Sequence, residues 1–141
     1  SIFSRPQHSA EEKRIRNESF ALLDEIGLAD AADQPASVLP FGQQRLLEIA
    51  RALAPRPSLI LLDEPAAGLN DAESRALTAY LKKLRARGNT MLLIEHDMSL
   101  VMRVCEHLVV LEYGAKIAEG DPDAIKDDPQ VIEAYLGTEE D

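Results

Sequence analysis

One segment, Leu59-Ile-Leu-Leu-Asp-Glu-Pro-Ala-Ala-Gly-Leu-Asn70, indicates the fold class of this chain. Its apolar run from Leu59 to Leu62 is too short for an ordinary helix and is typical of a buried strand. Asp63 and Glu64 follow at the carboxyl end of that strand, the edge where parallel α/β sheets gather ligands and metals. One carboxylate there can hold Mg²⁺, and the other can orient or deprotonate a water molecule. The segment therefore predicts an α/β fold with chemistry at a strand end; a solvated strand end without chemistry is the alternative.

Two helices are predicted before this segment. The first begins with the capping-box pair Ser9 and Glu12, carries apolar residues at helical spacing and ends at Gly27. We expect its apolar face to pack on the second helix. The second begins near Gly42 and is ended by Pro55.

After the segment, the pattern alternates between helices and strands. Asn70 and Glu73 form a second capping-box pair, which predicts a helix that Gly88 ends. The alternation predicts a β-α-β-α-β unit with a parallel sheet and right-handed crossovers. The later predicted elements are a strand at Met91 to Ile94, a helix at Met98 to Cys105, strands at Leu108 to Leu111 and Lys116 to Ala118 joined at Gly114, and short helices from Pro122 and Pro129.

Composition excludes several classes of protein. The chain has 141 residues and a formal net charge of −10, which argues against nucleic acid as a partner because affinity for the phosphate backbone needs clustered cations. Its single cysteine excludes an intrachain disulfide. No apolar run is long enough to span a bilayer, and nothing at Ser1 resembles a signal peptide. We therefore expect a cytosolic protein whose partner can still be a membrane protein.

Two further segments, on either side of the first, identify the family that the chain resembles. Leu39-Pro-Phe-Gly-Gln-Gln-Arg-Leu-Leu-Glu-Ile-Ala-Arg-Ala-Leu53 lies upstream, and Thr90-Met-Leu-Leu-Ile-Glu-His-Asp97 lies downstream. In order and spacing the three segments resemble the signature motif, the Walker B motif with its D-loop, and the switch-histidine motif of ABC-transporter ATPases. The resemblance covers nearly the whole chain. It implies the C-terminal part of a P-loop NTPase domain of ABC type, with a helical signature subdomain at residues 1–57 and the second half of the nucleotide-binding core at residues 58–141.

One motif of that family is missing from the chain. A phosphate-binding P-loop requires the pattern G-x-x-x-x-G-K-S/T, and none of the five lysines here follows a glycine. In the resembled family this Walker A loop and the Q-loop precede the signature motif. We therefore interpret the chain as a fragment of a longer ATPase domain and expect that it does not hydrolyse ATP by itself.

The resemblance assigns the signature motif to Leu39, Pro40, Phe41, Gly42 and Gln43. In the family these residues face the ATP held by a second subunit, packed head to tail. The commonest form of the motif is L-S-G-G-Q, so Pro40 replaces a serine hydroxyl and Phe41 replaces a glycine. Phosphate contact is then left to Gly42, Gln43 and the N-terminus of the second helix, which carries partial positive charge. A plain helix start, with glycine for the turn, is the alternative.

The resemblance also assigns catalytic roles. Asp63 would hold Mg²⁺ directly or through water, Glu64 would polarise the attacking water, and His96 would reach the γ-phosphate or that water. A structural histidine is the alternative for His96. Asn70 stands where many family members have the aspartate of the D-loop, and helix capping alone is the alternative role for it.

Three departures from the commonest motifs agree with one another. They are the Pro40-Phe41 pair, the D-loop sequence Ala66-Ala-Gly-Leu-Asn70 and the closing Ile132-Glu-Ala-Tyr-Leu-Gly137, which together resemble the ATP-binding subunits of branched-chain amino-acid importers. The implied activity is ATP hydrolysis coupled to membrane-spanning permease subunits and, through them, to a substrate-binding protein outside the cell membrane. The subunit would lie on the inner face of that membrane.

Importers of urea or other amides, and a non-catalytic interaction module of the same fold, remain alternatives. ABC-type ATPases of DNA repair fit less well, because the chain has neither cysteine pairs nor long heptads.

Overall fold

The chain folds into helices and short strands. A computed structural model describes residues 6–136, and the side chains of residues 8–135. The principal elements are α1 (Pro6–Glu25), α2 (Phe41–Leu53), β1 (Ile60–Asp63), α3 (Asp71–Ala86), β2 (Met91–Ile94), α4 (Met98–Val104), β3 (Leu108–Glu112), β4 (Ala115–Gly120), α5 (Pro122–Lys126) and α6 (Pro129–Val131). Single 3₁₀ turns lie at Ala29–Ala31 and Ala36–Val38, and a π-helical turn at Ile132–Leu136. Gly137, the last residue of the closing motif, lies outside the described residues.

The predicted start of the first helix is wrong. α1 is already helical at Pro6, so Ser9 lies inside the helix instead of capping it. Proline is favoured in the first helical turn, where its missing N–H costs no hydrogen bond. Glu12, the expected partner of Ser9, instead lies 3.5 Å from the ring of His8, one helical turn back.

The apolar face of α1 is covered by the protein core only near the C-terminal end of the helix. Leu22 and Ile26 pack against the core, whereas Ile15 and Phe20 are each 51% exposed. The same end is tied to α3, because Glu25 pairs with the guanidinium of Arg87. The apolar face of the first helix is therefore covered along its last turns only, by the core cluster.

The central unit is β1-α3-β2. The two strands pair in parallel, with Ile60 opposite Met91 and Asp63 opposite Ile94, and α3 connects them. This confirms the predicted parallel β-α-β arrangement. The inward side chains Ile60 and Leu62 are buried, and one apolar face of the pair stays exposed.

The third predicted strand does not join this sheet. β3 pairs with β4 in a separate antiparallel sheet, through a two-residue turn at Tyr113 and Gly114. Both turn residues have positive φ, 47° and 80°, as a hairpin turn of this length requires. A cleft of about 780 Å³, lined by residues of β2 and β3, lies where a continuous sheet would have brought the two strands together.

The core is organised around α3. Leu77, Leu81 and Leu84 recur at helical spacing and are at most 1% exposed. They share one apolar cluster with Ile49 of α2 and with residues of β1 and β3, while partly buried residues of β2 and β4 pack against that cluster. The boundary predicted between residues 57 and 58 stays a prediction.

Candidate functional site

The adjacent carboxylates lie at the predicted edge of the parallel sheet. Asp63 is the last residue of β1, and Glu64 follows it with an amide that donates to the Ile94 carbonyl at 2.9 Å, which extends the ladder by one bond. Both side chains are exposed. Because β1 and β2 run in parallel, the residues that follow β2 come to the same edge.

His96 lies next to Glu64. Its Nδ1 is 3.7 Å from the Oε1 of Glu64, and both side chains are more than half exposed. Their backbones come from the ends of different strands, so it is the parallel register that brings the two side chains together. A carboxylate in this position can take a proton from a water molecule, and the neighbouring imidazole can donate to the same water or to a phosphate oxygen.

The backbone of Glu64 is strained. Its φ is +44°, in the left-handed region that side chains other than glycine adopt at a cost of roughly 1–3 kcal/mol. Such a conformation persists only where the surrounding structure enforces it. Besides the bond to Ile94, the Ala67 amide donates to the Glu64 carbonyl at 3.0 Å, and these two bonds fix both peptide groups of Glu64.

Glu95 is a residue that the sequence analysis missed. Its Oε1 accepts a hydrogen bond from the Ala66 amide at 2.8 Å, and its Oε2 accepts one from the His96 amide at 3.2 Å. One carboxylate therefore joins the loop after β1 to the loop after β2. The signal that pointed to Asp63, a charged residue directly after a buried strand, applies equally to Glu95.

Asp63 fits the predicted magnesium site. Its carboxylate makes no hydrogen bond or ion pair within the described part of the chain, so its oxygens are open to a cation. No group of three metal-ligating side chains was found among residues 6–136. Mg²⁺ does not need one, since it is commonly held by one or two carboxylates together with waters and substrate phosphates.

The signature residues form the N-terminus of α2. Leu39 and Pro40 precede the helix, Phe41 is its first residue, and Gln43 is exposed in the first turn. The Gln44 side chain donates to the Leu39 carbonyl at 2.8 Å and closes the turn.

The amide of Gly42 is already occupied in this structure. It donates to Oε1 of Glu73 at 3.2 Å, and a Cβ at position 42 would lie 2.6 Å from Cγ of that glutamate. Glycine at position 42 therefore leaves room for the Glu73 side chain to reach the Gly42 amide, whereas the sequence had suggested only a turn or a phosphate contact. The Phe41 ring packs nearby, 3.3 Å from where a Cβ of Gly68 would lie.

Asn70 caps α3. Its side chain accepts from the Glu73 amide at 3.0 Å, while Oε2 of Glu73 accepts from the Asn70 amide at 3.0 Å. This reciprocal pair is the predicted capping box. Since Glu73 also bonds Gly42, it links the D-loop-like turn to the signature helix. No hydrogen bond joins Gly42, Asn70 or Glu73 to Asp63, Glu64 or His96.

The family profiles that match the chain agree with these motifs. A profile described as "ABC transporter" matches residues 2–67, and one described as "Branched-chain amino acid ATP-binding cassette transporter" matches residues 115–141.

Two curated relatives cover most of the chain. The high-affinity branched-chain amino acid transport ATP-binding protein BraF of Pseudomonas aeruginosa is 47% identical over 137 residues, which is 96% of this chain and 54% of that protein. The protein LivG of Escherichia coli, with the same description, is 47% identical over 116 residues, or 82% of this chain and 46% of its own length. The chain spans about half the length of the curated relatives it matches.

A solved structure has the same fold. A crystal structure of an ATP-binding cassette of an ABC transporter, in its ADP conformation, has a TM-score of 0.78 at 34% identity and covers 88% of this chain and 50% of that one. The predicted α/β fold of ABC-type P-loop NTPases is thereby confirmed. With its motifs in order, two matching profiles and close relatives along most of its length, the chain belongs to the family of ABC-transporter ATP-binding proteins.

Proposed function

We propose that this chain supplies the signature and hydrolytic part of the ATP-binding subunit of an ABC importer for branched-chain amino acids. The observation that carries the proposal is the 3.7 Å approach of His96 to Glu64 at the carboxyl edge of a parallel strand pair, directly beside the exposed Asp63. The reaction is hydrolysis of ATP to ADP and phosphate. The relatives' descriptions as branched-chain amino acid transport proteins support the choice of cargo.

The residues divide the work by position. Glu64 accepts a hydrogen bond from the attacking water and draws off its proton, while His96 donates to the γ-phosphate or orients the same water. Asp63 would hold Mg²⁺, which when bound would neutralise charge on the phosphate oxygens. The phosphates themselves are cradled by a glycine-rich lysine loop supplied from outside these 141 residues, because the chain contains none.

The partners follow from the same proposal. Leu39, Pro40, Phe41, Gly42 and Gln43 face the ATP of a second ATP-binding subunit in a head-to-tail dimer, with Asn70 at the dimer interface. Permease subunits couple hydrolysis to transport and hold the subunit on the cytoplasmic face of the membrane. No helix within residues 6–136 is both long and apolar enough to cross a bilayer.

The test is Glu64→Gln in the complete subunit that contains this sequence. Loss of the base should lower kcat for ATP about a hundredfold or more and leave ATP binding unchanged, because the amide keeps the shape and the phosphate contacts remain. Glu106→Gln, at an exposed glutamate in the connection between α4 and β3, is the matched control and should retain full activity. A complete subunit that binds no ATP, or a Glu64→Gln variant with normal kcat, would refute the proposed activity.

The cargo is tested separately. Vesicles that contain the permease and the complete subunit should accumulate labelled leucine in an ATP-dependent manner, and Glu64→Gln should abolish this uptake. Uptake of urea or a short amide without uptake of leucine would replace the branched-chain assignment while leaving the ATPase assignment intact.

A further inference from the structure

We infer that Glu95 is a positioning residue for hydrolysis: its carboxylate ties the loop that carries Glu64 to the loop that carries His96. The inference rests on the proposed roles of those two residues and deepens them. Glu95 is separated from Ala66 by 29 positions in sequence, yet its Oε1 accepts the Ala66 amide at 2.8 Å, the shortest of the bonds that hold the loop after β1 to its surroundings.

The contacts form a closed ring. Ala66 lies two residues after Glu64, its amide donates to Glu95, and the other oxygen of Glu95 accepts from the amide of His96 at 3.2 Å. The ring closes through the 3.7 Å approach of His96 to Glu64. Rotation of either loop would therefore change the distance between the two side chains that are proposed to act on the water.

Backbone strain explains why such a tie is needed. Glu64 adopts a φ of +44°, and an unrestrained loop would relax to a negative φ and swing its side chain away from His96. The bonds from Glu64 to Ile94 and from Ala67 to Glu64 lie within the strand ladder and the local turn. Among the hydrogen bonds of residues 6–136, the bond from Ala66 to Glu95 is the one that connects this loop to the end of β2 through a side chain.

Glu95 is not itself a base in this arrangement. Each of its two oxygens already accepts a backbone N–H, and the side chain is half-buried, whereas Glu64 is 53% exposed and has no backbone donor among the described residues. A carboxylate whose oxygens point at backbone donors orients those donors. The exposed carboxylate of Glu64, which accepts no backbone N–H among the described residues, is the one that can reach a water molecule on a bound nucleotide.

The first test uses the complete subunit that contains this sequence and needs no ATP. Amide hydrogen exchange is followed by NMR at Ala66 for the parent, Glu95→Ala and Glu95→Gln. We expect Glu95→Ala to raise the exchange rate at Ala66 about tenfold, as loss of one hydrogen bond to a charged group would. Glu95→Gln keeps an oxygen acceptor and should keep most of the protection, and Glu106→Ala should change nothing. Equal Ala66 exchange in the parent and in Glu95→Ala would overturn the inference.

The second test measures kinetics in the complete subunit. Glu95→Ala should lower kcat at least tenfold with KM for ATP within twofold, and Glu95→Gln should restore more than half of kcat. A purely structural role would instead lower the folded fraction and leave kcat per folded molecule unchanged, and that result would overturn the inference. If the complete subunit does not hydrolyse ATP at all, the proposed function fails, while hydrogen exchange still decides whether Glu95 holds the loop.

Discussion

The backbone amide of Gly42 donates a hydrogen bond to the Glu73 carboxylate at 3.2 Å, across 31 positions of sequence. The carboxylate lies at the N-termini of two helices, α2 and α3, where both helix dipoles favour negative charge. In the proposed dimer the amide of Gly42 faces a phosphate of the partner's ATP. Glu73 therefore occupies the amide that a phosphate would need, and the two anions compete for it.

Gly42→Ala should destabilise the chain through this contact. The added Cβ would lie 2.6 Å from Cγ of Glu73, so the glutamate must withdraw and give up its bonds to the amides of Gly42 and Asn70. We expect a loss of about 1–3 kcal/mol in the free energy of unfolding, measured by urea denaturation. The control is the same substitution in a Glu73→Ala background, where it should cost much less. An equal cost in both backgrounds would show that the contact with Glu73 is not the cause.

The isolated chain should not release phosphate from ATP. It contains Asp63, Glu64 and His96 but no glycine-rich lysine loop, so the nucleotide lacks most of its ground-state contacts. Steady-state phosphate release from purified chain should equal that of the Glu64→Gln variant, which controls for contaminating ATPases. Turnover that disappears in the variant would contradict this expectation.

Tyr80→Phe should stabilise the chain at neutral pH. The Tyr80 ring is 6% exposed, and its buried hydroxyl has no hydrogen-bond partner among the described residues. An unsatisfied buried polar group costs about 1–3 kcal/mol, so its removal should raise the free energy of unfolding by about 1 kcal/mol in urea denaturation. Tyr113→Phe, at a fully exposed tyrosine of the hairpin turn, is the matched control and should have no effect.

The same tyrosine predicts a pH dependence. Burial, with a smaller contribution from the Glu25 carboxylate, raises the pKa of Tyr80 from 10.0 to about 12. The folded state therefore binds this proton more tightly than the unfolded state does. The resulting stabilisation is complete below about pH 10 and is lost as the pH rises toward 12. The stability of Tyr80→Phe should fall less than that of the parent across this window; parallel curves would contradict the prediction.

Sequence patterns predicted the elements better than the contacts between them. The apolar runs of β1 and β2, the capping box of Asn70 and the turn at Gly114 were all visible, because each depends on neighbours within a few residues. The hydrogen bonds between Glu73 and Gly42 and between Glu95 and Ala66 could not be predicted from the sequence. They join positions about 30 residues apart that only the fold brings together. The capping role predicted for Ser9 was wrong because the local pattern that predicts a capping box also occurs by chance inside a helix.

The last prediction concerns the exposed apolar face of the sheet. Leu61, Leu92 and Ile94 point outward from β1 and β2 and are 69%, 56% and 57% exposed. One edge of β2 is unpaired within the described residues, and it borders the 780 Å³ cleft toward β3. At strand spacings of about 3.3, 4.8 and 10 Å, a cleft of this size has room for about five residues of extended chain. We expect the isolated chain to self-associate, since exposed apolar area costs about 25 cal/mol per Å² and open edges recruit strands.

Sedimentation velocity across a concentration series checks this expectation. The mean mass should rise above the 15.5 kDa of one chain as concentration increases, and Leu61→Thr combined with Leu92→Thr should shift the equilibrium toward monomer. Threonine keeps the strand propensity but removes apolar surface. Val38→Thr is the matched control, because Val38 is 62% exposed but lies outside the sheet, so the loss of an apolar side chain there should leave association unchanged. A strictly monomeric parent at the highest concentration would contradict the expectation and show that β1 and β2 tolerate an open face and edge in water. The apolar run from Leu59 to Leu62 would then form a stable strand with only its inner face covered.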